Sequence, residues 1–364
     1  MNKVVSILIL ASGLLLSCHS SNTRSDASIE YSSVDAFFQL ADKISSRTQP
    51  TEEEWTALFE TQGFKRCIAE TFDERSIFIR QAMEFAFNPE KVAGKDSIMR
   101  VPVADIVSDW EALLLRVMLD NYLDMKEHQT EIKEHIHTMK PEELMLKARQ
   151  RLAGFLVNPV DSLISPIPIS LVCMEPDALS LSDRIVWDCN LFYKQSEEEN
   201  VNNLAHEMFH AYRRHFEQSM KHSLLRLIDG WLNEGVADLI DKESVSDLSV
   251  AFIRYGFPES YVEAYNEVYQ STPQMIKELE QLTLSFAHNE IDEKEYKSKL
   301  PEFDQYGGHP NGFYMTTLIK NAGLEKELIS SFNSPVEFMK LYNKSVAKEY
   351  ALGSEFMDYI ENIK

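Results

Sequence analysis

Apolar residues recur at three- and four-residue intervals along most of the chain, and that pattern restricts it to a largely helical fold. Between residues 30 and 155 the segments "SVDAFFQLADKI", "TEEEWTALFETQGF", "ERSIFIRQAMEFAF" and "DWEALLLRVMLDNYLDMKEHQTEIKEHI" all carry it. Thr51 followed by Glu54 forms a capping-box start, and Pro141 and Pro159 punctuate later segments. The texture changes at 165–193. There "PIPISLVCME" and "DRIVWDCNLFY" are short, β-branched and aromatic, bounded by Pro, Asp and Ser, and two strands are expected. Helical periodicity then returns, broken at "GFPES" (256–260) and "DQYGGHPNG" (304–312). The expected fold class is mostly α with a small β-sheet, an α+β arrangement without internal repeats.

The two ends of the composition argument bear on partners. A hydrophobic content of 44% with 10% aromatics suffices for a core, in one large domain or two closely packed ones. A net charge of −22 argues against nucleic acid and against electrostatic binding to an anionic membrane. The first seventeen residues, "MNKVVSILILASGLLLS", pair a positive start at Lys3 with an apolar run from Val4 to Leu16. That run is too short to span a bilayer and reads as a signal segment. It ends "LLSC", which resembles the lipobox of bacterial lipoproteins. The resemblance implies cleavage after Ser17 and lipid on the Cys18 sulfur, hence an exported protein anchored to the membrane of the bacterial cell envelope. Residues 18–29, polar and without periodicity, are expected to be a tether. Cys67, Cys173 and Cys189 remain, and three buried thiols are expected; Cys173 and Cys189 can pair only if their strands are neighbours.

Residues 204–212 read "LAHEMFHAY". They fall on a helix expected to start at Ser196, whose side chain caps it with Glu199 as partner, and to run to about Phe216. Residues four apart share a helix face, so His206 and His210 can present two imidazoles to one ion. Glu207 is offset by one residue; it suits a base that takes a proton from a water beside the ion better than a third ligand. Val201, Leu204, Ala205, Met208, Phe209, Tyr212 and Phe216 form the apolar stripe, and both histidines fall roughly 120–160° from its centre. They are therefore not core histidines. A metal site and an exposed surface remain open.

Two histidines leave a zinc ion one protein ligand short. Twenty-four residues past His210, in "WLNEGVADLI" (231–240), Glu234 is a candidate carboxylate ligand. Asp238, on the same face, is placed to accept the second N–H of a ligating histidine. With these residues the sequence resembles the gluzincin metallopeptidases, zinc peptidases whose third ligand is a glutamate on a following helix. It is most similar to bacterial zinc-dependent peptidases with a helical region ahead of the motif. The resemblance implies a zincin-like core and one zinc per chain held by His206, His210 and Glu234. It also implies Glu207 as general base and proton donor, Asp238 behind a ligand, and a peptide or protein substrate. The expected organisation is a signal segment 1–17, a tether 18–29, a helical region 30–160 and a catalytic region 161–364 with a helical C-terminal part. The Gly-x-Met-Glu-Asn segment of zinc aminopeptidases is represented only by Met174-Glu175, and the third histidine of the metzincins is absent.

A hydrolytic site also needs a donor for the developing oxyanion. The segment "QYGGHPNGFYM" (305–315) offers His309 and Tyr314, with Tyr306 nearby; the alternative is that its glycines simply make a turn. The strand in "RIVWDCNLFY" can carry an extended peptide only if it lies at a sheet edge. His135 and His137, two apart, point to different helix faces and are expected to be solvated. The rival to an enzyme is a non-catalytic surface lipoprotein that binds a partner and keeps a structural or vestigial zinc site; the two differ over whether Glu207 matters.

Overall fold

Helices account for most of the chain, and one four-stranded sheet lies among them, so the fold is mostly α with a small sheet. The computed structural model describes residues 29–363 apart from 73, 107–108, 158–166, 217–219, 244 and 246–247. The expected signal segment, Cys18, the tether up to residue 28 and the boundary at 160/161 lie outside the described residues. None of the described helices is long and apolar enough to cross a membrane.

The strands are β1 (Ile29–Glu30), β2 (Ile169–Val172), β3 (Ala178–Ser180) and β4 (Ile185–Asp188), in the order β1-β2-β4-β3. β1 runs parallel to β2, with Ile29 opposite Ile169, and β2 runs parallel to β4. β3 folds back antiparallel along β4, with Leu179 opposite Val186. The two expected strands are β2 and β4. The second is shorter than its apolar run because the Asp188 side chain accepts N–H groups from Asn190 and Leu191, which starts a helix at Cys189–Lys194. β4 is interior, flanked by β2 and β3, so it cannot take an added peptide strand. The edge on that side is β3.

Ile29, expected in the tether, is already paired in the sheet. One continuous apolar cluster runs from Val34 through Phe37, Tyr122, Trp187, Phe209 and Trp231 to Ile360. The helical region before the sheet and the helices after it therefore share one core. Cys67, Cys173 and Cys189 are buried free thiols. Cys173 and Cys189 follow the paired positions Val172 and Asp188, yet their Sγ atoms stay 3.5 Å apart and form no disulfide.

The histidine helix spans Glu197–Arg214, two residues short of the expected Phe216. Its capping box forms as expected: Glu199 N–H donates to Ser196 Oγ (3.3 Å) and Ser196 N–H to Glu199 Oε2 (2.7 Å). Its apolar stripe faces the core, and its polar face is buried too, against the helix Ser223–Lys242. Arg213, buried near the end of the histidine helix, donates to the Phe332 carbonyl (2.8 Å) and to the Asp229 carboxylate, tying the two helices together. His206 and Glu207 are each 5% exposed, which excludes the surface-histidine reading.

Candidate metal centre

Three helices bring the site together. The histidine helix supplies His206, Glu207 and His210; the helix Ser223–Lys242 supplies Glu234, Asp238, Asp241 and Lys242; the helix His309–Asn321 supplies His309 from its first turn. The last two approach so closely that neither tolerates a side chain at the crossing. A Cβ on Gly312 would lie 2.2 Å from the Trp231 carbonyl oxygen, and one on Gly235 would lie 2.4 Å from that of Gly312. Thr316 Oγ1 donates across the same crossing to the Gly235 carbonyl (2.9 Å). Just before His309 the backbone turns left-handed at Tyr306, Gly307 and Gly308 (φ 53°, 63° and 84°). Gly308 accommodates that turn at no steric cost and sets His309 at the helix start. The glycine segment thus makes a turn and also delivers a site residue.

Glu234 Oε2 is the meeting point. His210 Nε2 lies 3.3 Å from it, His309 Nε2 3.4 Å and His206 Nε2 3.9 Å. Glu207 Oε1 lies 3.9 Å from His206 Nε2. Among the described residues, donor atoms within 4.8 Å of one another occur in His206–Glu234–His309, His206–Glu207–His210 and His206–Asp238–Asp241. Asp238 is fully buried and holds His309 Nδ1 at 3.0 and 3.2 Å and Lys242 Nζ at 2.5 Å. It lies 3.7 Å from His206 Nδ1, whereas Asp241 lies 3.2 Å away. Asp238 therefore orients His309, and Asp241 is the carboxylate nearest His206 Nδ1, which makes no hydrogen bond among the described residues. Asp241 and Lys242 were not anticipated. Glu234, Asp238 and Asp241 fall at i, i+4 and i+7 on one helix face, a spacing that could have revealed the second aspartate.

The electrostatics follow from that crowding. Burial pushes the Glu207 carboxyl up; His206 and His210 only partly offset it, so the group sits above the ordinary glutamate range. Burial also opposes charge on Glu234, but His210 and His309 hold it far below that range. For His309, burial disfavours the imidazolium, yet Asp238 and Glu234 outweigh it and raise the group to about 10. Asp241, buried as well, is brought down to about 2 by Lys242 and His206. Four carboxylates thus share a dry site with one lysine, and buried charge of that kind is paired or binds metal. Three imidazole nitrogens aimed at one carboxylate oxygen are a donor set suited to zinc. The residues present fit a zinc ion.

Tyr314 does not join them. It lies five residues past His309, roughly 140° around the helix, and its ring packs edge-on against Tyr269, 5.3 Å between centroids. Tyr306 packs on Tyr261 and Tyr265. His135 sits against Phe192 and Tyr193, and His137 against Tyr31, away from any metal-like group among the described residues.

A family model described as "Putative zinc dependent peptidase (DUF5700)" matches residues 55–351, most of the chain and every residue of this centre. The chain belongs to that family. Comparison with curated proteins finds no match, and neither does comparison with solved structures. All three groups of described residues able to hold an ion share His206.

Proposed function

We propose that the chain is a gluzincin-type zinc metallopeptidase that hydrolyses peptide bonds, with His206, His210 and Glu234 holding one zinc. The observation that carries this reading is the convergence of imidazole nitrogens on Glu234 Oε2 with buried Glu207 beside them. Zinc held there supplies Lewis acidity toward the scissile carbonyl and toward water. Glu207 takes the proton of the attacking water and passes it to the leaving amine; its raised affinity for protons suits a group that must both accept and release one. His309, anchored by Asp238, donates from Nε2 to the oxyanion as it forms.

A peptide fits best along β3. Asp188 N–H donates to the Asp177 carbonyl and Leu181 N–H to that of Arg184, so residues 177 and 181 face β4. By antiparallel alternation Ala178 and Ser180 turn outward. Arg214 occupies the Ser180 carbonyl (3.0 Å), and the Ala178 N–H bonds the Asp177 side chain (2.9 Å). Among the described residues the Ala178 carbonyl and the Ser180 N–H have no backbone partner across β4 and can receive a substrate backbone. The lipobox-like "LLSC" supports an exported enzyme anchored through Cys18, working on peptides or proteins in the cell envelope.

Glu207→Gln provides the test. Hydrolysis of a quenched peptide library should fall by about 10²–10⁴-fold, while zinc content and the circular-dichroism spectrum stay as in the wild type. Hydrolysis undiminished in the variant would remove Glu207 as the base, and hydrolysis absent from zinc-loaded wild type would return the reading to a non-catalytic partner-binding protein.

A further inference from the structure

His309 is built like a metal ligand. Two ligands of a tetrahedral zinc with bonds of about 2.0–2.1 Å stand about 3.3–3.4 Å apart. His309 Nε2 meets that spacing to Glu234 Oε2 at 3.4 Å, as closely as His210 does at 3.3 Å and more closely than His206 at 3.9 Å. The other side of the ring agrees. A ligating histidine characteristically donates its second N–H to a carboxylate, which fixes the tautomer and aims the free lone pair at the metal. His309 Nδ1 has two Asp238 oxygens at 3.0 and 3.2 Å, whereas buried His210 Nδ1 finds no hydrogen-bond partner among the described residues. With Nδ1–H given to Asp238, Nε2 faces the Glu234 carboxylate at 3.4 Å, a contact that a proton on Nε2 or a metal ion between the two can fill. His206, Glu234 and His309 also form one of the groups whose donor atoms are mutually within reach of an ion.

We infer that His309 is the fourth zinc ligand of the resting protein, which closes the site until substrate displaces it. This rests on the zinc reading given above and adds a gate to it. The side chain can leave. It is 35% exposed, the most open of the donors, and its backbone sits at the first residue of a helix. Once displaced and protonated at Nε2 from solvent, the same imidazole, still on Asp238, is the donor that faces the oxyanion. A four-ligand set of three histidines and one glutamate would make the resting enzyme slow to admit small anions and tight in its hold on zinc.

X-ray absorption at the zinc edge of the full chain, loaded with one equivalent of zinc, counts coordinated imidazoles directly. Three are expected in the wild type and two in His309→Ala, with zinc affinity in chelator competition lowered at least about 100-fold. A cobalt-loaded sample should show the complementary change: azide shifts the visible spectrum of His309→Ala far more than that of the wild type. Two imidazoles in the wild type would overturn the gate and leave the peptidase reading standing. Zinc that does not remain bound to the wild type at all would overturn that reading as well. The wild-type count needs no variant, so it decides the question even if His309→Ala folds poorly.

Discussion

Asp238 and Asp241 sit three residues apart on one helix; Asp238 holds His309 and Asp241 is the carboxylate nearest His206, and that division makes them separable by experiment. Asp241→Ala removes the carboxylate 3.2 Å from His206 and loosens a ligand. Asp238→Ala strips His309 of its anchor and Lys242 of one of two partners, in a fully buried position. Each should weaken zinc binding by about 10–100-fold in chelator competition. Only Asp238→Ala should also make azide reach the cobalt-loaded site, because only it releases His309. It should cost about 3 kcal/mol of stability in urea titration, since Lys242 stays buried with a single counter-ion. Equal azide access in both variants would show that the two aspartates act as one unit. At this scale helical spacing made His206 and His210 legible as a pair with Glu207 beside them, whereas Glu234, on another helix, became legible through its resemblance to the gluzincin pattern. Which aspartate served which histidine was not legible. Asp238 answers to a residue 71 positions away, and no local pattern records that pairing. Tyr314 failed for the opposite reason: it shares a segment with His309 but not a helix face.

The crossing of the helices Ser223–Lys242 and His309–Asn321 is the element on which the centre depends. Gly235 follows Glu234 directly, and Gly312 lies one turn after His309, so the closest backbone approach sits beside two donors. Gly312→Ala forces a methyl onto the Trp231 carbonyl, only 2.2 Å from the ideal Cβ position, and the helices must part. The expected cost is about 1–3 kcal/mol, with a parallel loss of zinc affinity because His309 moves away from Glu234. Gly230→Ala, in the same helix as Gly235, is the control. Nothing lies within 4 Å of its Cβ position, so helix propensity should stabilise the protein by about 0.8–1 kcal/mol and leave zinc affinity unchanged. Thermal unfolding with and without zinc reads both variants. A tight helix crossing is hard to see in a sequence, since a glycine that makes room for another backbone looks the same as one that makes a turn. The short strands escaped for a related reason. β1 and β3 have two and three residues, below the length at which alternation carries information, while the four-residue β2 and β4 stood out as apolar β-branched runs.

On the scale of the whole molecule, the sequence divides into a helical half and a motif-bearing half, but packing does not follow that line. β1, from the start of the described chain, pairs with β2, and the apolar cluster runs unbroken from Val34 to Ile360. Residues that contribute no zinc donor are therefore joined to those that do through shared core. Zinc binding should then stabilise the entire chain as one cooperative unit. At free zinc 100-fold above the dissociation constant, linkage adds about 2.7 kcal/mol. Spread over the unfolding entropy of a chain this size, that raises Tm by about 4 °C. Calorimetry should show a single transition that shifts as a whole on adding zinc and does not shift in Glu234→Ala. Two transitions, with only one responding to the metal, would mean that the N-terminal helices unfold independently and that the common core is too weak to couple them. A single transition insensitive to zinc in the wild type would instead place the metal outside the folded core. That outcome contradicts the burial of His206, Glu207 and Asp238, so the experiment tests the centre and the architecture around it together.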